Sequence, residues 1–246
     1  MINNNIKLTI EYDGTRYAGW QSQINATGIQ DVLKKAVSQI TREDTIITGA
    51  SRTDAGVHAY GQVANFNTAS SIPPAKIYLA LNPVLPDDIL IKESRKVPDD
   101  FHARYLAKEK KYKYLINNSA IHSVFLKNRA CHIAKPLDID KMKRALEHFI
   151  GTHDFSGFMA SKSNVKNTIR EIKKVSLIKD KDIIKIEISG NAFLYKMVRI
   201  IVGTLIYVGI GKISAQNIPE IIESKDRKKA GKTAPACGLY LVEVIY

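Results

Sequence analysis

Cysteine is scarce in this sequence: Cys131 and Cys237 are the only two, far apart and without CxxC spacing. That argues against a disulfide framework or a zinc site and fits a reducing cytoplasm. The opening stretch, MINNNIKLTIEY, lacks the charged and apolar regions of a secretion signal. No clean membrane span is present either. The longest apolar run, FLYKMVRIIVGTLIYVGI, carries Lys196 and Arg199 near its start and glycines later, which suits a buried helix. Phosphate loops, dinucleotide fingerprints and metal-ligand spacings are missing, so neither cofactor nor metal is expected. Acidic residues are outnumbered: 37 Lys+Arg against 24 Asp+Glu leave a net charge of +13 with His neutral. Such a surplus attracts polyanions, nucleic acid first and an anionic membrane surface second.

What is present is ordinary globular material, 45% hydrophobic and 25% charged over 246 residues. That is enough for one large domain or two small ones. IKLTIEY alternates Ile6, Leu8, Ile10 and Tyr12 on one face and predicts a half-buried strand. TGIQDVLKKAVSQI places Ile29, Val32, Leu33, Ala36, Val37 and Ile40 at helical spacing behind a Thr27 cap. TIITGA and QVANFN read as strands, PAKIYLALN as a short helix closed by Pro83, and DILIKESRKV as a strand. The order is β-α-β-β-α-β.

The second half repeats it. KKYKYLI is a strand, DIDKMKRALEHFI a helix with Ile139, Met142, Ala145, Leu146 and Phe149 inward, and REIKKVSLIK with KDIIKIEIS a pair of strands. FLYKMVRIIVGTLIYVG and NIPEIIES are helices, and GLYLVEVIY is a closing strand. The predicted fold is α+β, two ferredoxin-like (RRM-like) units with adjoining sheets and an active-site cleft between them. The expected boundaries are 1–105 for the first unit, carrying the Asp54 turn, and 106–246 for the second, carrying Tyr112, Arg199 and Leu239.

One stretch asks for more than turn geometry. GASRTDAGVHAYGQVANF sets Arg52, Asp54 and His58 among small residues and turn formers. An aspartate before Ala-Gly suits a turn, because its side chain bonds the backbone two residues on. Arg52, two residues away, can point to the same side and keep that carboxylate ionised where water is excluded. A carboxylate held charged in a dry pocket needs no general base to act as a nucleophile. His58 could serve as a general acid or base, or bond backbone within the turn.

Two further constellations stand out. In KEKKYKYLI, Tyr112 and Tyr114 share one strand face and Lys111 and Lys113 the other. That pattern fits an edge strand with inward tyrosines, or an aromatic stacked on a base with cations on phosphate. In NAFLYKMVRIIVGTL, Lys196 and Arg199 are three apart and would be neighbours on one helix face among apolar residues. A guanidinium buried there requires an anion, from an internal carboxylate, from Asp54 or from a substrate phosphate.

RTDAGVHA closely resembles the signature of the A-type tRNA pseudouridine synthases, and the resemblance is not confined to it. YDGTRYAGWQ (12–21), FHARYLAKEKKYKY (101–114), HDFSGF (153–158), GNAFLYKMVRIIVGTL (190–205) and TAPACGLYLVEVIY (233–246) look like that family's blocks in the family's order. The resemblance implies that Asp54 is the catalytic aspartate and Arg52 the arginine paired with it. It implies that Tyr112 stacks on the target base, that Arg199 pairs with the aspartate, and that Leu239 packs in the pocket. Lys196, His58, Lys111 and Lys113 join the substrate-binding candidates. Ser51 stands where the family commonly has glycine and Lys196 where histidine is frequent, which bears on substrate preference more than on reaction type.

The implied reaction isomerises uridine to pseudouridine at tRNA positions 38 to 40, in the anticodon stem-loop, without a cofactor. The implied partner is tRNA, and the implied assembly is a cytoplasmic homodimer. The rival reading is a non-catalytic RNA-binding protein built of two RRM-like units. Against it stand the missing RNP1-type run and the lack of any role for Arg52 and Arg199.

Overall fold

The computed structural model describes residues 4–161 and 165–246. Contacts group the chain into two compact units, Met1–Lys108 with Tyr240–Tyr246, and Glu109–Leu239. Strands and helices are numbered below in chain order.

The first unit begins with β1 (Asn4–Tyr12), whose Ile6, Leu8 and Ile10 are fully buried, as the alternation predicts. Helix α1 (Ile29–Thr41) buries Ile29, Leu33, Ala36 and Val37. Its N-cap is Gly28 rather than the expected Thr27, and the Asp31 carboxylate accepts the Gly28 N–H at 2.8 Å. After the two-residue β2 (Thr48–Gly49) come β3 (His58–Thr68), the five-residue α2 (Ile77–Leu81) and β4 (Ile89–Val97). The order across the sheet is β4-β1-β3-β2 with antiparallel neighbours. That is the arrangement a β-α-β-β-α-β chain gives when each helix returns over the same face. The closing strand β10 (Leu239–Ile245) adds a parallel pairing, Tyr240 with His58 and Leu241 with Ala59. It is therefore grouped with the N-terminal unit.

In the second unit, β5 (Glu109–Asn117) pairs antiparallel with β9 (Ile183–Gly190), β9 with β8 (Ile169–Asp180), and β8 with β7 (Gly151–Asp154). The short β6 (Cys131–His132) runs parallel beside β5. Helix α3 (Ile139–Glu147) is capped by the Asp138 carboxylate, which accepts the Lys141 N–H at 3.0 Å. Its apolar residues Met142, Ala145 and Leu146 are buried, and it packs on α4 (Met197–Gly209). Helix α5 (Ile218–Glu223) follows. Helix α4 is apolar nearly all round, so it forms the centre of this unit's core rather than a surface stripe. Among the described residues no helix is long and apolar enough to cross a membrane.

Candidate active site

Asp54 sits half-buried in the turn between β2 and β3, and both shoulders of that turn are fixed. On the upstream side, Ser51 is gripped by the fully buried side chain of Gln62 on β3. The Ser51 N–H donates to Gln62 Oε1 at 3.1 Å, and Gln62 Nε2 donates to the Ser51 carbonyl at 2.7 Å. Ala50 N–H adds a ladder bond to Val63 O at 2.8 Å.

On the other side the segment before α1 lies along the turn. Gly19 bridges Asp54, the Trp20 N–H donates to Thr53 O at 3.0 Å, and the Tyr12 and Thr53 hydroxyls bond at 2.7 Å. Gly19 is required twice over. Its φ is +101°, and a Cβ there would lie 2.5 Å from the Thr53 carbonyl oxygen. Val57 N–H closes the turn onto Asp54 O at 3.1 Å. The result is a carboxylate at the head of a loop whose backbone has little freedom to shift.

His58 begins β3 and is buried, 3% exposed. Its Nδ1 takes the Gly14 N–H at 3.1 Å and lies 3.1 Å from Asp13 Oδ1. The ring stacks on Tyr240 with centroids 4.7 Å apart, and Tyr240 on Tyr60 at 5.2 Å. His58 thus ties the Asp13–Gly14 turn to the strand that leaves the Asp54 loop.

Arg52 is exposed. Its basicity is lowered, first by partial desolvation and then by the neighbouring charge of Arg104. Where the two-residue spacing predicts Asp54 as its partner, the structure gives Arg52 the electrostatic company of Arg104 and Tyr105. The Arg104 guanidinium lies 5.9 Å from the Tyr105 ring centroid, and His102 stacks on Tyr105 at 4.2 Å. The Arg104 guanidinium beside a stacked pair of rings, with Tyr105 75% exposed and the charge of Arg52 felt there, makes a surface suited to an anion and a base.

The second unit separates the two tyrosines that the sequence could only pair. Tyr114 is core, 1% exposed, with its hydroxyl donating to Pro235 O at 2.8 Å. Tyr112 is half-buried and its ring stands nearly perpendicular to that of Phe193, with centroids 5.1 Å apart. Lys111 is paired with Glu187 at 3.3 Å, while Lys113 is half-buried on the same strand.

Lys196 departs from expectation. It is the N-cap of α4 in the left-handed region (φ +59°), so it lies just outside the helix that carries Arg199. Its ammonium lies 4.9 Å from the Tyr195 ring centroid. A left-handed N-cap is invisible to helical periodicity, which continues smoothly through Phe193, Leu194 and Met197. Arg199 lies in the first turn of α4, where the helix dipole disfavours a cation. Its Nε–H donates to Ala234 O at 2.8 Å, and its carbonyl accepts the Ala234 N–H at 2.9 Å. Leu239 opens β10 and is 6% exposed.

A cavity of about 310 Å³ in the second unit, lined by Asn117, His122, Lys127, Asn128 and His132 among others, contains none of the sequence-predicted site residues. Among the described residues no cluster of three or more His, Cys, Asp or Glu could hold a metal ion. Gln62, Gly19, Thr53 and Ala234 are not among the residues that the sequence marks as site candidates. Only Gly19 left a local signal, a glycine before the lone tryptophan.

The chain matches the family model described as tRNA pseudouridine synthase over residues 8–106 and 145–246. It is 58% identical over 242 residues to tRNA pseudouridine synthase A of Acetivibrio thermocellus, covering 98% of this chain and 99% of that protein. It is 56% identical over 242 residues to the protein of the same name from Ruminiclostridium cellulolyticum, with the same coverage. Among solved structures, a Cbf5–Nop10–Gar1 complex is similar over 82% of this chain and 45% of that chain, at 12% identity and a TM-score of 0.40, too distant to bear on the site.

Proposed function

This chain belongs to the tRNA pseudouridine synthase family, and on that premise we propose that it isomerises uridine at tRNA positions 38 to 40, in the anticodon stem-loop, with Asp54 as catalytic carboxylate. The observation that carries the reading is the fixed turn, which presents Asp54 at its head between the Gln62–Ser51 clamp and the Gly19–Trp20 segment.

Pseudouridine formation breaks the bond between C1′ and N1, turns the uracil and rejoins it through C5. Substrate and product are isomers, so the balance requires no oxidant and no energy source. The carboxylate has three routes: attack at C1′, addition to the base, or removal of a sugar proton to give a glycal. Each needs Asp54 ionised while the site excludes water, and Arg199 is assigned the cation that keeps it so. A uridine stacked in a stem must first leave the stack, at a cost of a few kcal/mol. Tyr112 offsets part of that, since base–aromatic stacking contributes about 1–3 kcal/mol. Leu239 is assigned an apolar wall of the pocket.

The basic surplus grips the RNA backbone by shape and charge, largely without reading bases. Arg52 with Arg104 is assigned to that grip, supported by the charge of Arg104 acting on Arg52 and by Tyr105 beside Arg104. Lys196, Lys113 and Lys111 are placed in the same electrostatic surround, and His58 holds the loop rather than the base. The functional unit is taken as a homodimer, which sedimentation equilibrium tests directly, and it is assigned to the cytoplasm. Carbodiimide–primer-extension mapping of total tRNA from cells with and without this protein tests the reaction. Loss of stops confined to the anticodon stem-loop is the expected result, and an unchanged map would refute it.

A further inference from the structure

Thr204 is the only fully buried hydroxyl in the largely apolar α4. Valine would fill the same space without a polar group to satisfy. The hydroxyl is used at both ends. It donates to the Ile200 carbonyl one turn back at 2.8 Å and accepts the buried Gly231 N–H at 2.9 Å. At that point the segment 230–235 crosses the helix in contact with its backbone. A Cβ on Gly203 would lie 1.6 Å from Lys232 O, and one on Gly231 would lie 2.5 Å from Gly203 O. Two glycines facing each other permit the crossing, and the Thr204–Gly231 bond sets its register.

Three residues further along the same segment, Ala234 exchanges two hydrogen bonds with Arg199, amide to carbonyl at 2.9 Å and Nε–H to carbonyl at 2.8 Å. The segment is braced elsewhere as well. The Arg227 guanidinium folds back onto Gly231 O at 2.9 Å and Thr233 Oγ1 at 3.2 Å, and the Tyr114 hydroxyl holds Pro235 O at 2.8 Å. The strap therefore runs from a buried hydroxyl to the guanidinium of a site residue, with every intermediate anchor inside one unit.

We propose that Thr204 is a positioning residue for the isomerisation: its hydroxyl holds Gly231, and through the strap to Ala234 it fixes the direction in which the Arg199 guanidinium points. The inference rests on the reading of Arg199 as a site residue. Arg199 sits against the unfavourable end of its helix dipole and on a flexible side chain. Committing Nε to the Ala234 carbonyl removes much of that freedom, so the charge arrives pre-aimed.

Single-turnover pseudouridine formation at saturating tRNA, and the tRNA dissociation constant, are to be measured for Thr204→Val, Thr204→Ala, Thr204→Ser, Arg199→Lys and the double variant Thr204→Ala/Arg199→Lys. The hydroxyl-less variants should lose about tenfold or more in turnover while tRNA affinity stays within about twofold. Thr204→Ser, which lacks the same methyl as Ala but retains the hydroxyl, should recover most of the loss. In the lysine background the alanine change should add nothing, because lysine has no Nε–H donor for Ala234 and the coupling is already lost. If Val disturbs folding, the Ser–Ala pair carries the comparison.

Three results would overturn the proposal: unchanged turnover without the hydroxyl, serine no better than alanine, or losses that multiply in the double variant. Full turnover by Arg199→Lys would instead remove the role of Arg199 itself, and the inference with it.

Discussion

The carboxamide of Gln62 spans the peptide groups on both sides of Ser51, accepting its N–H at 3.1 Å and donating to its carbonyl at 2.7 Å. Gln62 is fully buried and lies eight residues after Asp54, on the strand that leaves the turn. A side chain acting in this way substitutes for a missing neighbouring strand. β2 stops at Gly49, and Gln62 carries the pairing one step further toward Asp54.

Replacing Gln62 by Leu should therefore strand a buried donor and a buried acceptor, costing roughly 2–4 kcal/mol. Urea denaturation measures the loss. Turnover should fall further than tRNA affinity, since the groups released hold the turn and not the RNA. A variant of wild-type stability would show that water or a shifted loop replaces the clamp.

Arg52 gives a second test, because its neighbours are Arg104 and Tyr105. Arg52→Ala and Arg104→Ala should each weaken tRNA binding and reduce the slope of log affinity against log salt by about 0.7–0.9. Turnover at saturating RNA should change little. Lost turnover at unchanged affinity would return Arg52 to direct partnership with Asp54.

Tyr112 lies half-buried, its ring nearly perpendicular to that of Phe193 at 5.1 Å between centroids. Tyr112→Phe retains the ring and removes the hydroxyl, so it should spare tRNA binding more than catalysis. Tyr112→Ala should also lose the stacking contribution of about 1–3 kcal/mol. Turnover by Tyr112→Phe equal to wild type would confine the tyrosine to stacking.

Much of the architecture was legible because it rests on local pattern. The alternation of Ile6, Leu8, Ile10 and Tyr12 marks β1, and the spacing of Ile29, Leu33 and Val37 marks α1. Strands β6 and β7 were not found: Cys131–His132 is too short to alternate, and Gly151–Asp154 carries no apolar residue. TIITGA reads as a full strand, yet the paired strand is only Thr48–Gly49, and Ile46 before it is exposed. In the site, the motif residues were legible by type. Their supports were not, since Gln62 to Ser51, Gly231 to Thr204 and Ala234 to Arg199 are long-range bonds with no periodic signature. Lys196 is misplaced for a related reason: the helix begins only after its left-handed N-cap, while the apolar pattern already runs through Phe193 and Leu194.

The account stands or falls on the charge of one side chain. Asp54→Asn keeps the size and turn-forming capacity of the residue and removes only the ionised carboxylate. Assayed in single turnover with an anticodon stem-loop uridine at saturating tRNA, it should form no pseudouridine while binding tRNA within a few-fold of the wild-type affinity. Turnover by the asparagine variant comparable to wild type would contradict the assignment of the chemistry to Asp54.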